Sequence, residues 1–307
     1  MSKNKDLEVR GTRVKLDKAD MFIRGFTYIF TSIFALCCLF PFLLIVMSSF
    51  ATEESIRRSG FTIWPSEFST FSYELIFNAP DMIIGSYVVT IIMTLTGTIV
   101  GLFIIAMTGY ALQRKDFPYR NKISFYIFFT SLFNAGMVPF YLLMVQVYGL
   151  RDNYLAVWLP LLMSPWLIIL MKNFIKAIPH EITESGKIDG AGDFRIFLTL
   201  ILPTIIPALA TIGLFIALGY WNEWYNSSLF LTSKIRYKPL QFHLYSIVNK
   251  VAALKSSVAG SMLVGVSLPA ETLKMATAVV ATGPIILLYP FVQKYFVSGL
   301  TVGAVKG

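Results

Sequence analysis

Six long apolar runs dominate the sequence, and each is long enough to cross a lipid bilayer, which takes roughly 20 mostly apolar residues in a helix. Because lipid offers the backbone no hydrogen-bond partner, such runs must be helical, and they lack the alternation of barrel strands. We therefore predict an all-α integral membrane protein with six transmembrane helices. The runs are Gly25–Phe50, Ile83–Leu112, Ile123–Tyr148, Tyr154–Met171, Leu200–Tyr220 and Met275–Gln293.

The positions of lysine and arginine predict the orientation. With the N-terminus inside the cell, 17 of the 26 basic residues lie on the cytoplasmic side, as expected when both termini are cytoplasmic. The excess over 17 acidic residues thus reports orientation and not nucleic-acid binding. The outer loop 221–274 runs against the rule with six basic residues, but loops of that length count less. We predict a cytoplasmic arm at 1–24, a membrane domain at 25–293 and a cytoplasmic tail at 294–307.

The apolar runs lack the groups that active transport or catalysis needs. Their cores contain no Asp, Glu, Lys, Arg or His, although ion-coupled carriers and proton pumps usually place such groups at membrane depth. The chain also has no phosphate-binding loop of the G-x-x-x-x-G-K-[ST] type, so it should not hydrolyse ATP. We predict a passive pathway without a catalytic residue, metal or cofactor of its own, driven by another protein.

The connection 172–203 between the fourth and fifth runs is too polar to enter lipid. Pro179 suits the first turn of a helix, and Glu184 lies near that N-terminus, where the helix dipole favours negative charge. Ser185 and Gly186 make one side of this helix nearly flat, and Gly190 follows where a turn is expected. The segment is either an ordinary interfacial connector or a short surface helix with a small-residue face for docking.

This connection resembles the signature of a known family. The spacing Glu184-Ser185-Gly186-x-x-x-Gly190, followed after nine residues by Leu200-x-Leu202-Pro203, matches the "EAA" loop of permeases from binding-protein-dependent ABC importers. Ser185 and Gly186 stand where that family usually has two alanines, and both are small. The resemblance implies a type I ABC importer permease fold, with this loop as the coupling helix on a cytoplasmic ATPase. It assigns ATPase coupling to Glu184, Ser185, Gly186, Asp189, Gly190 and Ala191.

Three further stretches extend the resemblance to carbohydrate importers. The segment Gly219–Trp224 is similar to the W-N-E-[FW] segment of carbohydrate-type permeases. The ending 299–307 resembles the tail of the smaller permease of the maltose transporter, which implies that Gly303, Lys306 and Gly307 contact the ATPases. The stretch 269–276 resembles a subgroup that serves complex oligosaccharides.

The segment at the outer end of the fifth run has two interpretations. Its tryptophans suit a membrane-interface belt, or they line a sugar pathway in which aromatic faces stack on pyranose rings. Its polar residues either bond to sugar hydroxyls or cap a helix end. The residues concerned are Tyr220, Trp221, Asn222, Glu223 and Trp224.

The resemblance implies a permease for oligosaccharides in a bacterial plasma membrane. It would work with a second, homologous permease, two cytoplasmic ATPases that hold ATP and magnesium, and a lipid-anchored or periplasmic sugar-binding protein. A non-sugar cargo remains an alternative within this class. An ion-coupled secondary carrier is a more distant one, since it would need intramembrane charges or an inverted repeat.

Overall fold

A computed structural model describes residues 18–256 and 269–304 of the chain. Within these residues the structure is helical, and its only strand-like pairing is a bridge between Ala51 and Phe68. The helices are α1 Lys18–Ser49, α2 Glu53–Ser59, α3 Phe71–Phe77, α4 Pro80–Gln113, α5 Arg120–Leu132, α6 Met137–Leu142, α7 Leu155–Trp158, α8 Pro165–Lys176, α9 Glu181–Ile188, α10 Asp193–Ile196, α11 Leu202–Thr204, α12 Ile206–Trp221, α13 Tyr225–Phe230, α14 Leu240–Ser256 and α15 Ala270–Ala304.

Helix α4 is the centre of the bundle and packs against α8 and α12. Glycines on α4 allow the close approach. A β-carbon at Gly101 would lie 2.9 Å from the carbonyl oxygen of Leu162, and one at Gly97 would lie 2.3 Å from the ring of Tyr220. Such small residues let helices approach closely in lipid. Close packing matters there because the hydrophobic effect does not drive helices together inside a membrane. The main core, which includes Ile105, Ile168 and Ile212, is buried along this contact.

Helix α15 closes the other side of the bundle against α1, α12 and α14. A second core forms there from Ile76, Ile83, Trp221, Leu240 and Leu273. The two ends of the bundle are therefore distinct. We call them the α9 end, where α4 and α8 finish, and the α14 end, where α12 finishes and α15 begins.

Two of the six predicted spans are not continuous helices. The third is broken between α5 and the helix that starts at Met137, with a bend of 114°. Gly136 adopts a φ of +89° at the break, and its N–H donates to Asn134 Oδ1 at 2.8 Å. The predicted run Ile123–Tyr148 is therefore a bent pair of helices and not one continuous helix, because glycine permits a left-handed turn there.

The fifth predicted span is bent by 86° after Thr204. Pro203 and Pro207 flank the bend, and Pro207 lacks the N–H that would continue the helical hydrogen bonding. Residues from Leu200 to Thr204 thus belong to the segment before the bend, and the continuous helix begins at Ile206. By length and composition, the described residues contain four helices that can cross a membrane, or up to six if each bent pair counts as one span.

Candidate functional site

The predicted coupling loop contains a short helix, α9, as the sequence indicated. Glu181 and Glu184 lie in its first turn, and it ends at Ile188. Gly190 has a φ of +74°, and its N–H donates to Lys187 O at 3.0 Å. The following N–H, from Ala191, donates to Gly186 O at 3.0 Å. The helix therefore stops in a tight left-handed turn, which confirms the predicted break at Asp189-Gly190.

Gly186 faces the rest of the chain and not the surface. A β-carbon at this position would lie 2.9 Å from Leu200 Cδ1 and 3.0 Å from Ile196 Cγ1. Gly186, which the resemblance assigns to ATPase coupling, is buried within the loop, because the flat side of α9 packs on the segment that follows it. The small size of Gly186 thus allows close packing within the loop. Ser185, in contrast, is exposed, and its hydroxyl donates to Ile182 O at 3.0 Å.

The outward face of α9 carries both charge and one apolar side chain. Glu184, Ser185 and Asp189 are exposed on it. Ile188 is 85% exposed, more than any other large hydrophobic side chain in the described part of the chain. An isoleucine held this far into solvent gains nothing from burial within the chain. The face therefore combines charged and polar side chains with one apolar side chain that this chain leaves uncovered.

Ion pairs join α9 to the end of α4. Lys187 Nζ lies 2.8 Å from Asp116 Oδ2, and Asp116 also pairs with Arg114, the residue after α4. Arg114 in turn contacts Asp193, the first residue of α10. Hydrogen bonds from Arg114 and then Lys187 hold the pKa of Asp116 well below its usual range. We call these four residues the charge network, which ties three elements of the α9 end together.

Sequence reasoning missed the charge network. Its basic members were counted only as orientation signals, and 71 positions separate Lys187 from Asp116. Beside the network, a cleft of about 400 Å³ separates α9 from the ends of α4 and α8. Tyr110, Lys176 and His180 line this cleft. Helix α9 is thus held by α10 and by ion pairs, and not by continuous packing on α8.

Two residues assigned to the sugar pathway are buried and hold helices together. The Tyr220 hydroxyl donates to Trp158 O at 2.7 Å, and its ring covers Gly97. Trp221 Nε1 donates to Ala281 O at 3.0 Å on α15. Both aromatic rings therefore fix α12 within the bundle, and the prediction that they line a pathway does not match their burial.

The polar residues of the same segment cap helix ends. Glu223 is buried, and its Oε1 accepts from the N–H groups of Asn226 at 2.6 Å and Ser227 at 3.4 Å, at the start of α13. Asn222 is exposed, and its Nδ2 donates to Leu218 O at 3.0 Å at the end of α12. Of the two alternatives from the sequence, the structure adopts capping.

Trp224 is the aromatic side chain of this segment that reaches an open cleft. Its ring lies 4.8 Å from the ring of Tyr245 on α14, with 38° between the planes. Gln241 and Lys274 also line the cleft, which has a volume of about 300 Å³. Nothing in the spacing of the sequence joins Trp224, which lies between α12 and α13, to Tyr245 on α14 or Lys274 on α15. We call this the aromatic cleft.

The residues predicted to contact the ATPases in the tail lie at or beyond the last described residue, Ala304. Gly303 belongs to the last turn of α15, which ends at Ala304. Lys306 and Gly307 lie outside the described residues. Their assignment to an ATPase contact stays a prediction.

Comparison with known proteins finds a family and several relatives. Residues 117–302 match the family model described as binding-protein-dependent transport system inner membrane component. The chain is 39% identical to the polygalacturonan/rhamnogalacturonan transport system permease YtcP of Bacillus subtilis, over 94% of this chain and 98% of that one. It is 26% identical to the arabinooligosaccharides permease AraQ of the same organism, over 91% and 94%.

A solved structure matches the fold over almost its full length. It is that of a bacterial ABC transporter involved in the import of the acidic polysaccharide alginate. The TM-score is 0.74 and the sequence identity 31%, with 91% of this chain and 98% of the other covered.

Proposed function

The chain belongs to the family of inner membrane components of binding-protein-dependent transport systems, and from this premise we propose that it is a permease subunit of an importer for complex oligosaccharides. It is a multi-pass protein of the plasma membrane and has the ABC importer permease fold. The observation that carries the proposal is the 39% identity, over nearly the whole chain, to a permease named for polygalacturonan and rhamnogalacturonan.

The alternatives fit the same observations less well. A non-sugar cargo would have to be reconciled with relatives that are named for arabinooligosaccharides, maltodextrin and trehalose/maltose. An ion-coupled secondary carrier does not need a binding protein, whereas the family is defined by dependence on one. We therefore keep the oligosaccharide importer as the conclusion.

The family implies an assembly with other subunits. We propose a second, homologous permease, an extracellular sugar-binding protein that is lipid-anchored or periplasmic, and two cytoplasmic ATPases that hold ATP and magnesium. Six spans, both termini in the cytoplasm and the division into arm, membrane domain and tail belong to the same proposal. It is supported by the distribution of lysine and arginine, and by the two bent pairs when each counts as one span. This chain carries the translocation pathway and performs no chemical step.

The α9 end supplies a route from the ATPase to the bundle. In this proposal, the exposed face of Glu184, Ser185, Ile188 and Asp189 docks on the ATPase. Movement of α9 then reaches α4 through the charge network, because Asp116 contacts both Lys187 and Arg114. It reaches α10 through the packing of Gly186 on Ile196. The result would be a rigid-body transition between inward-open and outward-open states.

The cargo is tested by uptake into proteoliposomes that contain this chain, its partner permease, the ATPases and the binding protein. Labelled oligogalacturonides should accumulate with ATP present. An amino acid mixture and inorganic phosphate, offered in the same way, should not. Accumulation of the non-sugar solutes without that of any oligosaccharide would contradict the proposed function.

A further inference from the structure

We propose that the aromatic cleft is a subsite of this chain for a uronate residue of an acidic oligosaccharide, with Trp224 and Tyr245 holding the ring and Lys274 the carboxylate. This inference rests on the proposed function and goes beyond it, because it places cargo contact in this subunit and assigns it to the connection before α13 and to residues on α14 and α15.

The geometry of the two rings suits a flat ligand. Trp224 is 42% exposed and Tyr245 is 44% exposed, so each presents one side to the cleft. With 38° between their planes, the rings form an open angle and not a closed stack. Ligand pockets commonly combine aromatic walls with a few polar groups, and a volume of about 300 Å³ is at the lower end of their range. The cleft therefore has room for one part of a longer chain.

Polar groups of suitable chemistry line the same cleft. Lys274 Nζ lies 2.9 Å from Glu271 Oε1, and both side chains are partly exposed. An ammonium group has three N–H donors, so this pair leaves capacity for a second carboxylate. Glu271 offsets the charge of Lys274, so a ligand carboxylate would be held by hydrogen bonding to the ammonium group and not by a general attraction of anions. Gln241 is oriented by its amide nitrogen, which donates to Asn222 Oδ1 at 3.2 Å.

The environment of Trp224 distinguishes the cleft from a membrane-interface belt. Lys274, Gln241 and Thr277 lie on this same face, and a face with a charged side chain is unfavourable in hydrocarbon. The cleft lies beside the end of α12, because Trp221 donates to Ala281 O and Ala281 lines the cleft. Its polar lining therefore favours contact with a hydrated ligand over contact with lipid.

The buried neighbours of Trp224 hold it in place. On one side, Trp221 is anchored to Ala281 O, and on the other, the Glu223 carboxylate caps α13. The backbone that carries Trp224 is thus fixed at both flanks. A binding group on a rigid support loses little freedom when the ligand arrives. Trp221 and Glu223 are accordingly positioning residues of the subsite. Their side chains do not face the cleft but fix the backbone that carries Trp224.

The test uses the complete reconstituted importer with oligogalacturonides and with their methyl-esterified, uncharged counterparts. Trp224→Ala should raise the KM for uptake of both sugars at least fivefold with kcat largely kept, and Trp224→Phe should restore most of the loss. Lys274→Gln should raise the KM for the acidic sugar alone, and Lys274→Arg should restore it. Trp64→Ala, an exposed tryptophan at another site, is the matched control and should leave both KM values unchanged.

The outcomes distinguish a failure of the proposed subsite from a failure of the proposed oligosaccharide import. Unchanged KM values in both Trp224→Ala and Tyr245→Ala, with a wild-type importer that takes up the sugars, would overturn the subsite alone. Equal effects of Lys274→Gln on the acidic and esterified sugars would overturn its assignment to the carboxylate. A wild-type importer that takes up neither sugar would overturn the proposed function and the subsite with it.

Discussion

Glu53 and Lys255 form an ion pair at 2.9 Å although 202 positions separate them. Glu53 is 7% exposed, and its second oxygen accepts from the N–H groups of Glu271 at 2.9 Å and Thr272 at 3.3 Å. One carboxylate thus satisfies free N–H groups in the first turn of α15 and the ammonium near the end of α14. Negative charge at a helix N-terminus is favourable. Because Glu53 belongs to α2 and contacts both α14 and α15, it joins three helices at the α14 end.

Replacement of Glu53 should therefore destabilise the protein. We expect Glu53→Ala to reduce the free energy of unfolding by about 2–3 kcal/mol, because it leaves buried N–H groups unpaired. Glu53→Gln, which keeps an acceptor, should cost about 1 kcal/mol. Thermal unfolding in detergent measures both. Glu54→Ala is the control, since Glu54 forms an exposed pair with Arg58 and should change stability by less than about 1 kcal/mol. Equal effects at positions 53 and 54 would contradict the junction.

Gly190→Val should uncouple ATP hydrolysis from uptake. Valine is strained at the φ of +74°, although no atom lies within 4 Å of the added β-carbon. The turn after α9 should therefore shift without a clash in the bundle, and insertion should stay normal. We expect uptake to fall at least fivefold while ATPase activity persists. Gly192→Val is the matched control, because Gly192 also has open space and an ordinary φ of −68°. Normal uptake by the Gly190 variant would remove the coupling role of this turn.

The charge network should behave as one unit in a double-mutant cycle. Asp116→Ala and Lys187→Ala should each lower the ratio of sugar imported to ATP hydrolysed. The double variant should be no worse than the poorer single variant, because both changes break the same link to Arg114. The ratio is measured in proteoliposomes from uptake and phosphate release. Strictly additive losses would show that Asp116 and Lys187 act independently.

Deletion of residues 303–307 should change the stimulation of ATPase activity by loaded binding protein. The reason is the resemblance of this tail to one that reaches between ATPase subunits. The assay compares the full-length and shortened chains in the assembled importer, with the basal rate as the internal reference. Equal stimulation of the two complexes would leave the tail without a regulatory role.

His243 should make stability depend on pH. Burial, together with the nearby charges of Lys250 and Lys238, lowers the pKa of His243 below its ordinary value. The unfolded chain therefore takes up a proton as the pH falls through about 6.5, whereas the folded chain resists it. Stability should fall as the pH decreases from about 7 to 5.5, and His243→Gln should lessen this fall. The difference between the two melting curves across this range is the measurement, and identical pH profiles would contradict the assignment.

Much of the fold could be predicted, because apolar length is a local property of the sequence. Helix α4 spans the second run almost as expected, and α15 contains the sixth run. The fourth run is divided between α7 and α8. The breaks were harder to find, since Gly136 and Pro207 interrupt runs whose composition stays apolar. Cys37 and Cys38 are exposed, because α1 leaves most of its surface uncovered by this chain.

The site was less predictable because its contacts join distant positions. The turn at Gly190 was local and could be found from the sequence. The inward orientation of Gly186 depends on Ile196 and Leu200, and the pairing of Trp224 with Tyr245 depends on how α14 packs. Neither contact produces a regular spacing of residues that could be recognised in the sequence. The sequence left sugar contact and helix capping open for Glu223, and the geometry at the start of α13 decided for the cap.

The central claim is that this permease moves sugar only when an ATPase drives it through the α9 end. The most direct test is uptake of oligogalacturonide against a gradient by proteoliposomes with all subunits, compared with proteoliposomes that lack the ATPases. We expect accumulation in the complete set with ATP, and none when the ATPases are omitted. Accumulation against the gradient without the ATPases would contradict the account.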